Sequence, residues 1–155
     1  MADVLDPETR RFNMSRIKGQ DTRPEMLLRR ALHARGYRFR LHVRSLPGKP
    51  DLILPKYRSV ILIQGCFWHV HGCHLFKWPA TRREFWESKL RGNQARDAAN
   101  RVALVEQGWR VIEIWECAIK GKQRLLLDEI IVRIEEALGE GPGLTQITGE
   151  DFSNG

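Results

Sequence analysis

Apolar and polar positions follow three distinct rhythms along this chain, and each rhythm predicts its own kind of element. Thr22-Arg-Pro-Glu25 has the form of a capping box, and Met26, Leu27, Leu28, Ala31 and Leu32 follow at helical spacing until Gly36. A weaker helical pattern covers Pro7–Lys18 and ends at Gly19. Tyr37–Val43 alternates Tyr37, Phe39, Leu41 and Val43 with Arg38, Arg40 and His42, the period of a strand. Asp51–Leu54 and Val60–Ile63 are short apolar runs joined by Pro55–Ser59, which predicts a hairpin in a buried sheet.

Gly65–Pro79 has no period. Thr81–Leu90 and Asn93–Gly108 then read as two helices, Trp109–Trp115 as a third buried strand, and Arg124–Leu138 as a last amphipathic helix. From Gly139 the glycine-rich sequence predicts a loose tail, residues 139–155. This order predicts one α/β domain over residues 1–138, a mixed central sheet flanked by helices.

Charge adds a class of partner. The chain carries 26 Lys and Arg against 19 Asp and Glu, a net +7, and the excess lies in its first two thirds. Fifteen of the 20 basic residues there are Arg, whose planar fork matches phosphate, so a polyanion such as nucleic acid is the expected partner. No apolar run is long enough to span a membrane, and the start lacks the apolar core of a signal peptide, so a cytoplasmic protein is expected. Three cysteines in such a setting point to metal or reactive thiols before disulfides.

The densest chemistry lies in Gly65-Cys-Phe-Trp-His-Val-His-Gly-Cys-His74. Cys66, His71 and Cys73, joined by Cys117 after the late strand, offer the sulfur and nitrogen donors of a closed, structural zinc site, with His69 and His74 as competing ligands. Phe67 and Trp68 on such a pinned loop are mounted to stack on or wedge between bases, although core packing explains either one singly. Phe85 and Trp86 pose the same choice. Asp51, opposite Ile63 and Gln64 in the expected hairpin, could share a magnesium ion with a backbone carbonyl. It opens only the first half of a Pro-Asp…(Glu/Gln)-x-Lys nuclease pattern, because Gly65-Cys66 follows Gln64. His69 can act as a general base if zinc does not take it. Capping alone accounts for Glu25.

Over nearly its whole length the chain resembles the very-short-patch-repair mismatch endonucleases, the Vsr family. The resemblance is carried by Asn13-Met-Ser-Arg-Ile17, Asp21-Thr-Arg-Pro-Glu25, Leu46-Pro-Gly-Lys-Pro-Asp51, Gly65-Cys-Phe-Trp-His69 with His71 and Cys73, Pro79-Ala-Thr-Arg82, Glu84-Phe-Trp86, Asn93 with Arg96-Asp97, Gly108-Trp-Arg-Val111 and Trp115-Glu-Cys117. It implies a restriction-endonuclease-like fold that nicks duplex DNA 5′ to the thymine of a T:G mismatch. The context is CT(A/T)GG-like, where 5-methylcytosine has deaminated.

It also implies roles for residues. Asp51 and the Ile63 carbonyl hold Mg2+, His69 is the general base, and Glu25 holds water on the metal. Cys66, His71, Cys73 and Cys117 hold Zn2+. Phe67, Trp68 and Trp86 insert beside the mismatch, Met14 and Ile17 touch DNA from the other groove, and Lys89 and Asn93 read the mismatched pair. Some relatives carry Thr then His where this chain has Ile63 and Gln64. A carbonyl ligand is indifferent to the Ile63 side chain, and Gln64 offers an amide to phosphate or water. The implied partners are mismatched duplex DNA, a cytosine-5 methyltransferase by functional link and mismatch-repair proteins, and the resemblance implies a monomer. A zinc-stabilised mismatch binder without cleavage and an RNA-directed relative are the rival readings.

Overall fold

The computed structural model describes residues 22–150, so the helix expected at Pro7–Lys18, with Met14 and Ile17, lies outside the described residues. Helix α1 (Arg23–Ala34) starts as its sequence predicts: Thr22 Oγ1 accepts the Glu25 N–H at 3.4 Å, and a proline occupies the first turn. Leu28 and Leu32 form its buried stripe, and Gly36 follows in the left-handed conformation that a helix stop favours.

The strand expected at Tyr37–Val43 shortens to β1 (Arg40–Leu41). His42 adopts a positive φ of 49°, which turns the chain out of the ladder. The alternation breaks with it, because Tyr37 and Phe39 pack on one side of the sheet and Val43 on the other. The predicted hairpin is present. Strand β2 (Leu52–Leu54) leads through a 3-10 turn at Pro55–Tyr57 into β3 (Ser59–Gln64), with Leu52 opposite Ile61 and Leu54 opposite Ser59.

One continuous helix, α2 (Arg83–Glu106), replaces the two expected between residues 81 and 108. Gly92 costs a helix interior about 1 kcal/mol but does not break its hydrogen bonds, and Leu90 and Leu104 on either side are fully buried. Strand β4 (Arg110–Trp115) then pairs parallel with β3, followed by the single turn α3 (Glu116–Ile119) and helix α4 (Leu127–Ala137).

The loose tail expected from Gly139 is corrected by strand β5 (Gly143–Ile147), which pairs parallel with β4 from Arg110–Gly143 to Ile114–Ile147. Gly139, Gly141 and Gly143 all take positive φ, so the glycines turn the chain back into the sheet. Arg110 fastens the strand through Thr145 Oγ1 at 2.8 Å and Glu140 at 3.0 Å.

The sheet order is β1-β2-β3-β4-β5, antiparallel on one side and parallel on the other. Leu52, Leu54, Ile61, Ile112 and Ile114 meet Leu28 and Leu32 of α1 and Ile130, Ile131 and Ile134 of α4. Ile53, Val60, Leu62 and Val111 face the opposite way, toward Leu104. Cover on both faces is why the central strands read as unbroken apolar runs. No described helix is long and apolar enough to cross a membrane.

A buried charge interrupts this interior on the inner strand β4. Glu113 on β4 is fully buried and accepts from Arg101 at 2.8 Å, Gln146 at 2.9 Å and Gln64 at 3.3 Å. Arg101→Leu leaves that carboxylate without its cation and is expected to lower unfolding free energy by about 3–5 kcal/mol. Adding Glu113→Leu should recover about half of the loss in urea unfolding. A single substitution costing under about 1 kcal/mol would show that the pair is not effectively buried.

Candidate active site and metal centre

Asp51 stands at the mouth of the β2–β3 hairpin, where the backbone holds it from both sides. Its N–H donates to the Ile61 carbonyl at 3.0 Å, its carbonyl accepts the His42 N–H at 3.1 Å, and its Oδ2 accepts the Ile63 N–H at 2.7 Å. The last bond sets the Ile63 backbone beside the carboxylate. Glu25 approaches from the first turn of α1 and is only 1% exposed, with Oε2 3.0 Å from His42 Nε2 and 3.2 Å from Arg29. One ligand atom each from Glu25, His42 and Asp51 falls within 4.8 Å of the others.

Burial pushes the Asp51 carboxyl up to about 6; the Ile63 N–H opposes this, the Glu25 charge adds to it, and His42 and His69 pull it back down. A divalent cation would relieve this crowding of negative charge, and the carboxylate donors are of the hard oxygen type that magnesium takes. The capping box thus leaves the Glu25 carboxylate facing inward, to this cluster.

His69 lies on the loop after β3, and its Nδ1 bonds the Asp97 carboxylate on α2. With the proton of Nδ1 held by that carboxylate, Nε2 keeps a lone pair for accepting another. Asp97 carried no assigned role in the sequence, although it lies one helical turn from Asn93 on the same helix. His42 had no signal beyond its place among the polar positions of an alternating run. Only the folded chain brings either to the site.

The thiol and imidazole donors converge two residues further on. Cys66, His71, Cys73 and Cys117 place one donor atom each within 4.8 Å of the rest, and all three cysteines are free. His71 Nδ1 is 3.4 Å from Cys66 Sγ and 3.6 Å from Cys117 Sγ. Tetrahedral zinc with ordinary bond lengths would separate such an N and S by about 3.5 Å, so the donor set fits that ion. Desolvation pushes the Cys66 and Cys117 thiols up and His71 down, so deprotonated sulfur here calls for a cation.

The N–H groups of Cys117, Leu75 and Gly149 each point to a cysteine sulfur at 3.3–3.4 Å, as the outer partners of a metal site do. The competing ligands have other bonds. His69 goes to Asp97, and His74 Nδ1 bonds Gln123 Oε1 at 2.7 Å.

Between the two histidines stands Val70 with φ of 52°, a left-handed conformation that a β-branched residue adopts only under constraint. It reverses the loop so that His69 meets Asp97 while His71 turns to the thiol cluster. Trp115 at the end of β4 touches both, stacked on His71 at 4.1 Å and edge-on to His69 at 6.2 Å.

The same loop carries the aromatics. Phe67 meets Trp68 at 5.1 Å and Trp86 at 5.6 Å between ring centres, and Trp68 lies 6.0 Å from Trp86. Trp68 is 40% exposed and Phe85, beside Arg82, 45% exposed, so this cluster opens to solvent. Asn93 Nδ2 donates to the Trp68 carbonyl at 3.1 Å, and Lys89 Nζ sits 6.0 Å from its ring. Gln64, expected to offer an amide to phosphate or water, is buried with that amide directed to Glu113.

Residues 2–75 match the family described as DNA mismatch endonuclease Vsr. The DNA mismatch endonuclease Vsr of Escherichia coli K12 is 47% identical over 142 residues, 91% of each chain. The Type II nicking enzyme V.XorIIP of Xanthomonas oryzae pv. oryzae is 43% identical over 134 residues, covering 83% of this chain and 98% of that one. The Type II nicking enzyme V.NmeAIP of Neisseria meningitidis serogroup A is 36% identical over 140 residues, 89% of this chain and all of its own. With that identity spread over nearly the full length of these relatives, the chain belongs to the Vsr family of DNA mismatch endonucleases.

Proposed function

We propose that this protein nicks one strand of duplex DNA 5′ to the thymine of a T:G mismatch, in a CT(A/T)GG-like context, and so begins very short patch repair of deaminated 5-methylcytosine. The reading includes a restriction-endonuclease-like fold, action as a cytoplasmic monomer on nucleoid DNA, and a functional link to a cytosine-5 methyltransferase and to mismatch-repair proteins. The observation that carries it is the meeting of Asp51 and Glu25 with the His69–Asp97 pair beside an open aromatic cluster.

In this mechanism His69 Nε2 takes the proton of the attacking water, while Asp97 fixes the ring and stabilises the imidazolium that forms. Glu25 orients water beside Asp51. Asp51 and the Ile63 carbonyl would hold magnesium, which would supply Lewis-acid stabilisation of charge on the phosphate and the leaving oxygen.

Phe67, Trp68 and Trp86 part the stack next to the mismatch, with Met14 and Ile17 engaging the opposite groove. Unstacking costs several kcal/mol and least at a wobble pair, so the deformation itself favours the mismatch. Lys89 and Asn93 face that pair. Asn93 bonds the Trp68 carbonyl and Arg96, so its part in reading the pair joins base recognition to placement of the wedge. Cys66, His71, Cys73 and Cys117 would hold the loop through structural zinc, and the Arg-rich first part of the chain neutralises phosphates.

A strand-resolved assay on a labelled duplex tests the reaction. The expected result is a single nick 5′ to the mismatched thymine, dependent on magnesium, abolished by chelator and absent from the matched C:G duplex. Asp51→Ala should remove the nick and leave duplex binding largely intact; binding lost with nicking retained would refute that role. Asp97→Asn should slow nicking by about 10²–10⁴-fold at unchanged DNA affinity. A slowdown of only a few-fold would mean that His69 is held adequately by its loop. For Cys117→Ser, bound zinc should fall below one per chain together with the melting temperature. An unchanged melting temperature with one zinc still bound would remove Cys117 from the ligand set.

A further inference from the structure

The metal reading above uses Asp51, the Ile63 carbonyl and Glu25, all oxygen donors. One nitrogen stands among them that no part of that reading uses. His42 Nε2 lies 3.0 Å from Glu25 Oε2, and the donor atoms of His42, Glu25 and Asp51 share a space 4.8 Å across. Two donors at right angles on one ion with bonds near 2.1 Å are separated by about 3.0 Å, so the His42–Glu25 spacing suits a shared ion as well as a direct bond.

Three further features favour the shared ion. The side chains of His42 and Glu25 are 18% and 2% exposed, so the imidazole is not a casual surface neighbour. The residue takes a φ of 49°, which removes it from the β1 ladder while its own N–H stays bonded to the Asp51 carbonyl at 3.1 Å. A left-handed non-glycine residue is a costly way to place a side chain, and here it sends the ring towards Glu25 and Asp51. Charge agrees with this: Arg29 pairs with Glu25 at 3.2 Å, and Asp51 adds a second carboxylate of the kind a dication takes.

We propose that His42 is a nitrogen ligand of the divalent ion at Asp51, so that the site takes first-row ions such as manganese more tightly than magnesium. This rests on the metal-dependent reading of that site. Magnesium demands oxygen and coordinates imidazole poorly, whereas first-row ions gain affinity from a nitrogen donor. His69 is the other histidine near Asp51, but its Nδ1 is held by Asp97 and its loop is bound to the thiol cluster.

The test uses full-length protein with zinc loaded, so that manganese meets only the Asp51 site. Calorimetry gives manganese and magnesium affinities, and the electron spin-echo of bound manganese reports any directly coordinated nitrogen. Expected are a nitrogen modulation in the wild type, its loss in His42→Gln and its retention in His69→Gln. His42→Gln should weaken manganese binding about 10-fold or more and magnesium binding by less than about 3-fold. His42→Asn, which tolerates the left-handed backbone, repeats the measurement should the glutamine variant fail to fold.

The wild-type spectrum decides even without a variant. Manganese that Asp51→Ala displaces but that shows no nitrogen modulation would overturn the role of His42 and leave the metal site standing. Modulation that survives His42→Gln and vanishes in His69→Gln would assign the nitrogen to His69 and overturn the proposal. Manganese binding indifferent to Asp51→Ala would overturn both the proposal and the reading beneath it.

Discussion

Three thiols and an imidazole crowded within 4.8 Å set the condition on which the rest of the site depends. As thiolates in this desolvated pocket they need a cation that holds them at these spacings. Cys117 belongs to the turn that ends β4 and Cys66 to the start of the loop after β3, so closing the cluster ties the loop to the sheet across two parallel neighbours. Everything the loop carries inherits that anchor. Val70 is the local evidence of it: a left-handed valine costs about 1–3 kcal/mol and persists only where its surroundings over-determine the backbone.

A loop held so firmly places His69 against α2 and the aromatics toward solvent. The long unbroken helix matters for the same reason. Asn93 and Asp97 lie one turn apart on it, one bonded to the Trp68 carbonyl and the other to the His69 ring. Had α2 been two helices with a joint at Gly92, Trp86 and Asp97 would stand on separately moving pieces. As one rod, the helix keeps the aromatic cluster and the His69 ring in a fixed relation.

The parts of this arrangement legible in the sequence were those set by local physics. The Thr22 cap, the Pro55–Ser59 reversal and the apolar runs of β2, β3 and β4 each depend on neighbours within a few residues. The thiol set was legible because few other residue types offer soft donors. What failed to show was decided by tertiary contact. Strand β5 buries only Ile147 and follows a glycine-rich turn, so it reads as a tail until β4 gives it a ladder. The strand at Tyr37–Val43 was cut short by the backbone of His42, whose conformation no periodicity encodes. Glu25 looked fully explained by capping, because only the amide of its residue is needed for that bond and the carboxylate remained to be used elsewhere.

The division between rigid protein and soft duplex then gives a physical sense to the proposed selectivity. A wedge discriminates between a matched and a mismatched step only if the protein itself does not yield, since any energy absorbed by a flexible loop is lost to the comparison. Phe67, Trp68 and Trp86 form one contact cluster, backed by the thiol centre on one side and by α2 on the other. Such a mount transfers the difference in unstacking cost between two DNA sequences to binding and alignment with little attenuation. The same anchored loop carries His69, so a duplex that does not open at the wedge is also not aligned with Asp51. On the proposed reading, recognition and chemistry need no signalling step between them, because one short stretch of chain holds both.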